Sequence, residues 1–192
     1  PRRLPKAHRL KGRVVILDVA FASGKPAPPY PSITHELIEQ LGRRLACYLD
    51  HHDSEFHADF AQDPRFMLAT KAQHGACPEM VTPELVEWVG DVDTIVCHDD
   101  FDGIASAAKW INKGHEPYEG CDADAYAIDT RLGTPSEAAA RMDRALRGNP
   151  RSFELRWQLI KLMQQKLKDE PIDQSLLWVY EETGYRRMLE TD

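Results

Sequence analysis

The sequence lacks three features that would identify a class of protein directly: paired cysteines, long apolar runs and an excess of positive charge. Its four cysteines are far apart and form no CxxC pair, so neither a disulfide framework nor a zinc finger is predicted. They are Cys47, Cys77, Cys97 and Cys121. No apolar run reaches membrane-spanning length, and we find no signal peptide. Free thiols in a reducing compartment predict a cytoplasmic protein with no membrane partner.

The charge balance is acidic. With 31 acidic and 24 basic residues, the formal net charge is -7, which argues against binding long nucleic acid on a broad basic surface. A small or short phosphorylated substrate is still allowed, because a bound metal inverts the local charge. The one basic-rich segment is an N-terminal arm, residues 1–12, which we predict to be solvated rather than RNA-binding. Since the chain begins at Pro1 rather than Met, we expect part of the natural N-terminus to be missing or processed.

The 192 residues are enough for one α/β domain, residues 13–148, followed by a helical extension, residues 149–192. Apolar runs and helical periodicity alternate along the domain. This alternation favours an open, mainly parallel sheet with helices on both faces. The predicted strands are residues 13–18, 45–50, 66–70, 94–97 and 123–129.

Several boundaries carry specific expectations. Strand 94–97 is predicted to be buried and central, and strand 123–129 to end in Asp129. The sequence Thr134-Pro135-Ser136-Glu137 predicts a capping box with proline at the first helical position. Apolar stripes beyond Ser152, including Ile172, Leu176, Val179 and Tyr180, predict tail helices that dock a partner or form a homo-oligomer.

Acids and histidines collect where two predicted strands end. His98, Asp100 and Asp102 follow the run at 94–97, and Asp50-His51-His52 ends the run that starts at Leu45. Acids bunched in this way repel one another unless a cation or a shared proton relieves them. For any single acid, a solvated surface position is the simpler interpretation. Two such clusters together favour a metal site.

The carboxyl ends of parallel strands meet at one crevice, which would also receive Asp18 from the first strand. Carboxylates and imidazoles together suit manganese, zinc or iron, and there are too few sulfurs for a thiolate site. The candidate ligands are Asp18, Asp50, His51, His98, Asp100 and Asp102. They exceed what one tetrahedral ion needs, so we predict two ions that share a bridging aspartate.

The strings LDHHD at Leu49–Asp53 and HDDFDGIASA at His98–Ala107 resemble the DHH phosphoesterase superfamily. This superfamily includes RecJ-like exonucleases, oligoribonucleases, exopolyphosphatases and manganese pyrophosphatases. The resemblance covers roughly residues 13–130. It implies a hydrolase with two manganese ions, or with magnesium, zinc or iron in their place, that cleaves phosphodiester or phosphoanhydride bonds.

The resemblance also implies individual roles. The H-x-D-x-D-G string places His98, Asp100 and Asp102 among the metal ligands, with Asp100 and Asp102 catalytic. The D-H-H string adds Asp50 and His51 as ligands, and places His52 near the substrate phosphate, where it would orient substrate or water. The segment VVILDVAF is similar to the motif that supplies the bridging acid. That acid would be Asp18, with Asp129 as the competing candidate.

The chain departs from the family pattern in two respects. In the family the D-x-D-G motif precedes DHH, whereas here Asp50 precedes Asp100, as in a circular permutation. A permuted sheet can still bring the same strand ends together, because loops can be reconnected without moving the core. In addition, the family's C-terminal substrate-binding domain, with its Gly-Gly-Gly-His motif, has no counterpart after Pro150.

Two functions follow as hypotheses. The first is a phosphoesterase acting on an oligonucleotide end, a nucleotide or a polyphosphate. The second is a non-catalytic DHH-like domain that docks a partner or oligomerises; full retention of both ligand strings weighs against it, and the missing substrate domain weighs for it. A structural zinc protein is a distant third hypothesis, because its cysteine spacings form no knuckle. Its ligands would be Cys47, Cys77, Cys97 and His98.

Overall fold

The computed structural model describes residues 4–22, 30–149 and 153–163. Its centre is a four-stranded, all-parallel sheet with the strand order β3-β2-β1-β4. The strands are β1 (Val14–Leu17), β2 (Leu45–Asp50), β3 (Phe66–Leu68) and β4 (Thr94–Cys97). The predicted α/β class and parallel sheet are therefore confirmed.

Six α-helices accompany the sheet in the described part of the chain. They are α1 (Thr34–Leu41), α2 (Pro83–Val89), α3 (Phe101–Ile111), α4 (Cys121–Thr130), α5 (Glu137–Gly148) and α6 (Phe153–Lys161). Short 3-10 helices connect several of these elements. None of the helices among the described residues combines the length and the apolar character needed to cross a bilayer.

Two apolar cores cover the two faces of the sheet. Successive side chains of a strand point to opposite faces, and β1 is buried along its whole length because both faces are covered. Val14 and Ile16 pack in the core that contains α1. Val15 and Leu17 pack in the larger core, to which helices α2 to α6 contribute. The helices lie on both faces, as predicted.

An irregularity in β2 sets which of its residues reach each core. Val14 pairs with Leu45 but Val15 pairs with Cys47, so Ala46 is an extra residue between them. A bulge of this kind shifts the alternation of side chains by one residue. Leu45 therefore packs beside α1, whereas Cys47 and Leu49 enter the larger core.

The position of β4 differs from the prediction. It is an edge strand that pairs only with β1 among the described residues, and its four residues are half-buried. The central, fully buried strand is β1. Apolarity alone predicted burial for 94–97, but the crossover from β3 to β4 carries the chain past β2 and β1 to the far edge.

The predicted strand at 123–129 is also wrong, because this segment forms most of helix α4. The short, mostly apolar segment ADAYAID suggested a strand, yet the buried residues Cys121, Asp124 and Ala125 follow helical spacing. The predicted capping box is replaced by a simple N-cap. Ser136 rather than Thr134 caps α5, and its side chain accepts a hydrogen bond from the Ala139 N–H.

Both ends of the described chain pack against the domain. In the described part of the N-terminal arm, residues 4–12, the basic side chains are exposed, but Ala7 is buried and the Arg44 guanidinium donates hydrogen bonds to the Ala7 and Leu10 carbonyls. At the other end, Leu155 and Leu159 of α6 are buried in the larger core. The predicted tail helices beyond Met163 lie outside the described residues.

Candidate metal centre

The site lies at the carboxyl ends of three neighbouring strands. Asp18 follows β1, Asp50 and His51 close β2, and His98 follows β4. The helices that follow β1 and β4, α1 and α3, pack on opposite faces of the sheet. In open α/β sheets this divergence opens a crevice between the two strands, and ligands bind there.

Asp18 occupies the middle of the crevice. It is 1% exposed, and its backbone has φ 56°, a left-handed conformation that aspartate tolerates better than most residues. Its Oδ1 lies 3.3 Å from His51 Nε2, and its Oδ2 lies 4.0 Å from His98 Nδ1. The two oxygens of this one carboxylate therefore face two different sets of ligands.

His51 is fully buried and held in one orientation. Its Nδ1 lies 2.9 Å from the His74 carbonyl oxygen. Because a carbonyl can only accept, Nδ1 carries the hydrogen and Nε2 of the neutral ring is left with a free lone pair. This Nε2 faces Asp18 Oδ1 at 3.3 Å and Asp102 Oδ2 at 3.2 Å. A backbone carbonyl behind a metal-binding histidine is a common arrangement in metal sites.

The start of α3 supplies the remaining acids. Asp100 caps the helix by accepting from the Gly103 N–H at 3.1 Å, and its Oδ2 lies 2.8 Å from His98 Nδ1. Asp102, in the first turn, is 3% exposed. It accepts hydrogen bonds from the Cys77 N–H at 3.0 and 3.2 Å. Backbone N–H groups therefore hold both carboxylates in place without a bound ligand.

Buried polar atoms that lack a hydrogen-bond partner indicate whether a cation fits this site. Asp18 Oδ1 and His51 Nε2 are buried and make no hydrogen bond of acceptable geometry, although such atoms normally find partners. Two atoms that each lie about 2.1 Å from one ion at the tetrahedral angle are about 3.4 Å apart. The separations of 3.2 and 3.3 Å around His51 Nε2 are close to that value. The residues present therefore fit a bound cation.

Three groups of potential ligands adjoin one another among the described residues, and the ligand atoms of each lie within 4.8 Å of one another. The groups are Asp18 with His51 and His52, Asp18 with His98 and Asp100, and His51 with Asp102 and Asp129. Asp18 links the first two groups and His51 links the first and third. These aspartates and histidines, of which Asp18, His51 and Asp102 are buried, could hold a metal ion.

The metal-ligand role predicted for Asp50 stays a prediction. Asp50 belongs to none of the ligand groups found in the described ranges. It is fully buried, and its Oδ1 lies 2.8 Å from Nδ1 of His52. His52 is partly exposed and approaches Asp18 Oδ1 at 3.7 Å. Asp50 therefore orients His52 toward the crevice.

Asp129, the competing candidate for the bridging acid, also belongs to one of the ligand groups. It comes from the end of α4, and Lys71 Nζ donates to its Oδ2 at 2.6 Å. Lys71 lies three residues after the end of β3. The rule that ligands bind at the carboxyl ends of parallel strands, which located the other site residues, therefore also applies to Lys71. Arg131 lines a small cavity next to these acids, and the sequence analysis did not single it out, because an isolated basic residue matches no motif.

The protonation of the buried groups reflects their crowding. Burial raises the pKa of Asp18, and burial together with the Asp18 charge raises the pKa of Asp102 to about 7. Burial alone would lower the pKa of His51, but the Asp102 and Asp18 carboxylates outweigh it and raise the pKa to about 11. The Asp100 carboxylate raises the pKa of His98 to about 9. Without a cation, protons offset the acidic charge.

The cysteines near the site are poor metal ligands. Burial raises the pKa of Cys47 and of Cys97 to about 12, and raises that of Cys77 well above its ordinary value. A thiol must ionise to bind zinc. No cysteine belongs to a ligand group in the described segments, which disfavours the structural zinc hypothesis.

Searches against protein-family models, curated proteins and solved structures gave no significant match to this chain. The geometry of the crevice is therefore the basis for assigning its chemistry.

Proposed function

We propose that this protein is a metal-dependent phosphoesterase of the DHH type that uses two divalent cations. One observation carries the proposal. The buried Asp18 carboxylate directs one oxygen toward His51 and the other toward His98. A carboxylate between two sets of ligands is the arrangement that a bridged pair of ions needs.

The ligands divide between two positions. His98, Asp100 and Asp18 would hold one ion. His51 and Asp102 would hold the other, and Asp18 Oδ1, 3.3 Å from His51 Nε2, would connect the two positions. Asp129 lies within reach of His51 and Asp102, so it is available to the second position. The mixture of carboxylate and imidazole suits manganese, and it is also compatible with magnesium, zinc or iron.

When bound, the cations would act as Lewis acids that polarise a phosphoryl oxygen and lower the pKa of water, so that hydroxide is available to attack phosphorus at neutral pH. The protein's own groups position the reactants. Asp50 holds the His52 ring at the mouth of the crevice, where His52 can orient the substrate or the attacking water. The Cys77 N–H holds Asp102, and the His74 carbonyl holds His51. These contacts limit the reorganisation needed during reaction.

The resemblance of LDHHD and HDDFDG to the DHH superfamily supports the same reaction class. Its reversed motif order is compatible with this site, because β2 and β4 both neighbour β1 in the sheet. Strand neighbours, rather than order along the chain, bring His51 and Asp100 to the same crevice. The substrate class we propose is a small or short phosphorylated molecule, such as an oligonucleotide end, a nucleotide or a polyphosphate.

A manganese-dependent hydrolysis screen tests the proposal. Purified protein is assayed against pyrophosphate, short RNA and bis(4-nitrophenyl) phosphate, with metal content measured in parallel. Asp100→Ala should bind manganese about 10- to 100-fold more weakly at one position, since metal-site partners have effects of this size. Hydrolysis should fall at least in proportion.

The neighbouring acid provides a matched control. Asp99 is exposed, pairs with Arg156 and approaches His98 Nε2 only at 3.9 Å, outside the ligand groups, so Asp99→Ala should change manganese binding and hydrolysis much less than Asp100→Ala does. Equal background rates for the wild type and Asp100→Ala on every substrate would contradict the enzymatic proposal.

Metal affinity should increase with pH. In the cation-free protein, His51 and His98 hold protons at neutral pH because their pKa values are raised to about 11 and about 9, and Asp102 is partly protonated with a pKa of about 7. Cation binding must displace these protons. Affinity should therefore rise between pH 6 and 8 by about tenfold per pH unit for each proton displaced. Manganese titration calorimetry in buffers of different ionisation enthalpy would measure the release; a pH-independent affinity would contradict it.

A further inference from the structure

We propose that Arg131 grips the terminal phosphoryl group of the substrate in a small cavity beside the metal centre. The inference rests on the proposed function and adds to it the residue that recognises the anion. The cavity has a volume of about 100 Å³. Its lining combines four acids with the cations Arg131 and Arg147; the acids are Asp100, Asp102, Asp129 and Asp143.

The backbone at the end of α4 places Arg131 at this cavity. Arg131 is the C-cap of the helix, with φ 60° and ψ 25°. This left-handed conformation is unfavourable for residues other than glycine, asparagine and aspartate. Such conformations are concentrated at ligand-binding positions, where the surrounding structure maintains them. The turn places an exposed guanidinium-bearing residue at the edge of a crevice lined by acids.

Arg131 differs from the other cations around the crevice in having no acidic partner. Lys71 is paired with Asp129 at 2.6 Å, and Arg147 is paired with Asp143 at 2.8 Å. Within the described residues, Arg131 makes neither a side-chain hydrogen bond nor an ion pair. Its charge is therefore available to an incoming anion.

The size and charge of the cavity indicate the kind of anion. A planar guanidinium can donate two parallel hydrogen bonds to a phosphate. The carboxylates that line the cavity would repel an anion unless bound metal ions neutralise them. An anion therefore occupies the cavity only when the metal centre is loaded. The cavity volume of about 100 Å³ is several times what one water molecule needs, so it has room for a phosphoryl group. We take that group to be the phosphate at the end of a molecule, with the rest of the substrate outside the cavity.

Binding of inorganic phosphate tests this role separately from catalysis. The probe is titrated into the magnesium-loaded protein by calorimetry, and manganese affinity is measured in a separate titration. Arg131→Asn, chosen because asparagine tolerates the left-handed conformation, should bind phosphate about 10- to 100-fold more weakly, as expected for a lost charge-assisted hydrogen bond. Arg131→Lys should recover part of the affinity. Manganese affinity should stay within about threefold of the wild type, because no ligand is changed.

Arg43→Ala is the control, because Arg43 is an exposed arginine at the opposite end of β2; it should bind phosphate like the wild type. Where hydrolysis is measurable, Arg131→Asn should raise KM more than it lowers kcat. Equal phosphate affinity for Arg131→Asn and the wild type, or no phosphate binding by the loaded wild type, would overturn the proposal. Phosphate binding that depends on Arg131 without any hydrolysis would support it while contradicting the phosphoesterase proposal.

Discussion

Asp18→Asn should weaken the binding of each of the two manganese ions by at least about 10- to 100-fold, which lowers the product of the two binding constants by at least about 100- to 10,000-fold. The same change should leave the cation-free protein at least as stable as the wild type. Burial raises the pKa of Asp18, so its charge is unfavourable in the folded state, and asparagine also tolerates the positive φ at this position. Thermal melts with and without manganese would measure both effects. Manganese should raise the melting temperature of the wild type only.

Asp124→Asn is the matched control for this experiment. Asp124 is also a buried aspartate, but it accepts hydrogen bonds from the Ser136 backbone and hydroxyl and from the Tyr118 hydroxyl. Replacing it should lower the free energy of unfolding by about 1–3 kcal/mol, because one buried donor is left without its acceptor. Manganese affinity should not change. A variant at Asp18 that loses stability while keeping its metal would contradict the assignment of Asp18 to the metal centre.

Gly103→Ala should produce the largest loss of stability among the substitutions considered. Helix propensity alone favours alanine by about 1 kcal/mol. A Cβ at Gly103, however, would lie 2.4 Å from the His98 carbonyl oxygen and 2.8 Å from the His98 nitrogen. The obstacle is backbone and cannot rotate away, so we expect a net loss of about 3 kcal/mol, at the upper end for overpacking. Urea denaturation would measure it.

The displaced helix start should also weaken manganese binding, because Asp100 and Asp102 lie on either side of this contact. Gly120→Ala is the control. A Cβ there meets nothing within 4 Å, although its φ of 85° is unfavourable for alanine. It should lose about 1 kcal/mol and keep its metal. Normal manganese affinity in Gly103→Ala would show that the close packing of α3 on the His98 backbone does not position the ligands.

The sequence predicted the parts of this fold that local patterns determine. Fully apolar runs identified β1 and β2. Position within the sheet could not be predicted in this way. β4 is at an edge because of the route of the chain between strands, and an apolar run carries no information about that route. The segment 123–129 was predicted to be a strand but forms part of helix α4, which packs against α3. The local sequence does not show this packing.

The site was predictable to a similar extent. The strand-end rule found Asp18, His51, His98 and the two acids of α3, because parallel strands end on the same side. It could not separate Asp50 from His51, which are adjacent in sequence. The structure shows that Asp50 contacts His52, whereas His51 contacts Asp18 and Asp102. Asp129 and Arg131 reach the crevice through the end of a helix, and their contribution depends on the packing of α4.

The strand order also has a consequence for the kinetics of folding. β1, β2 and β3 pair as neighbours within residues 14–68, whereas β4 pairs with β1 across a sequence separation of 80 residues, from Val14 to Thr94. Loop-closure entropy favours early pairing of the three nearby strands and late docking of β4. Asp18 and His51 would then meet before His98, Asp100 and Asp102 arrive. A cation that binds both the residues after β1 and β2 and the residues after β4 would slow the detachment of β4 during unfolding. It would accelerate the earlier collapse of the other strands less.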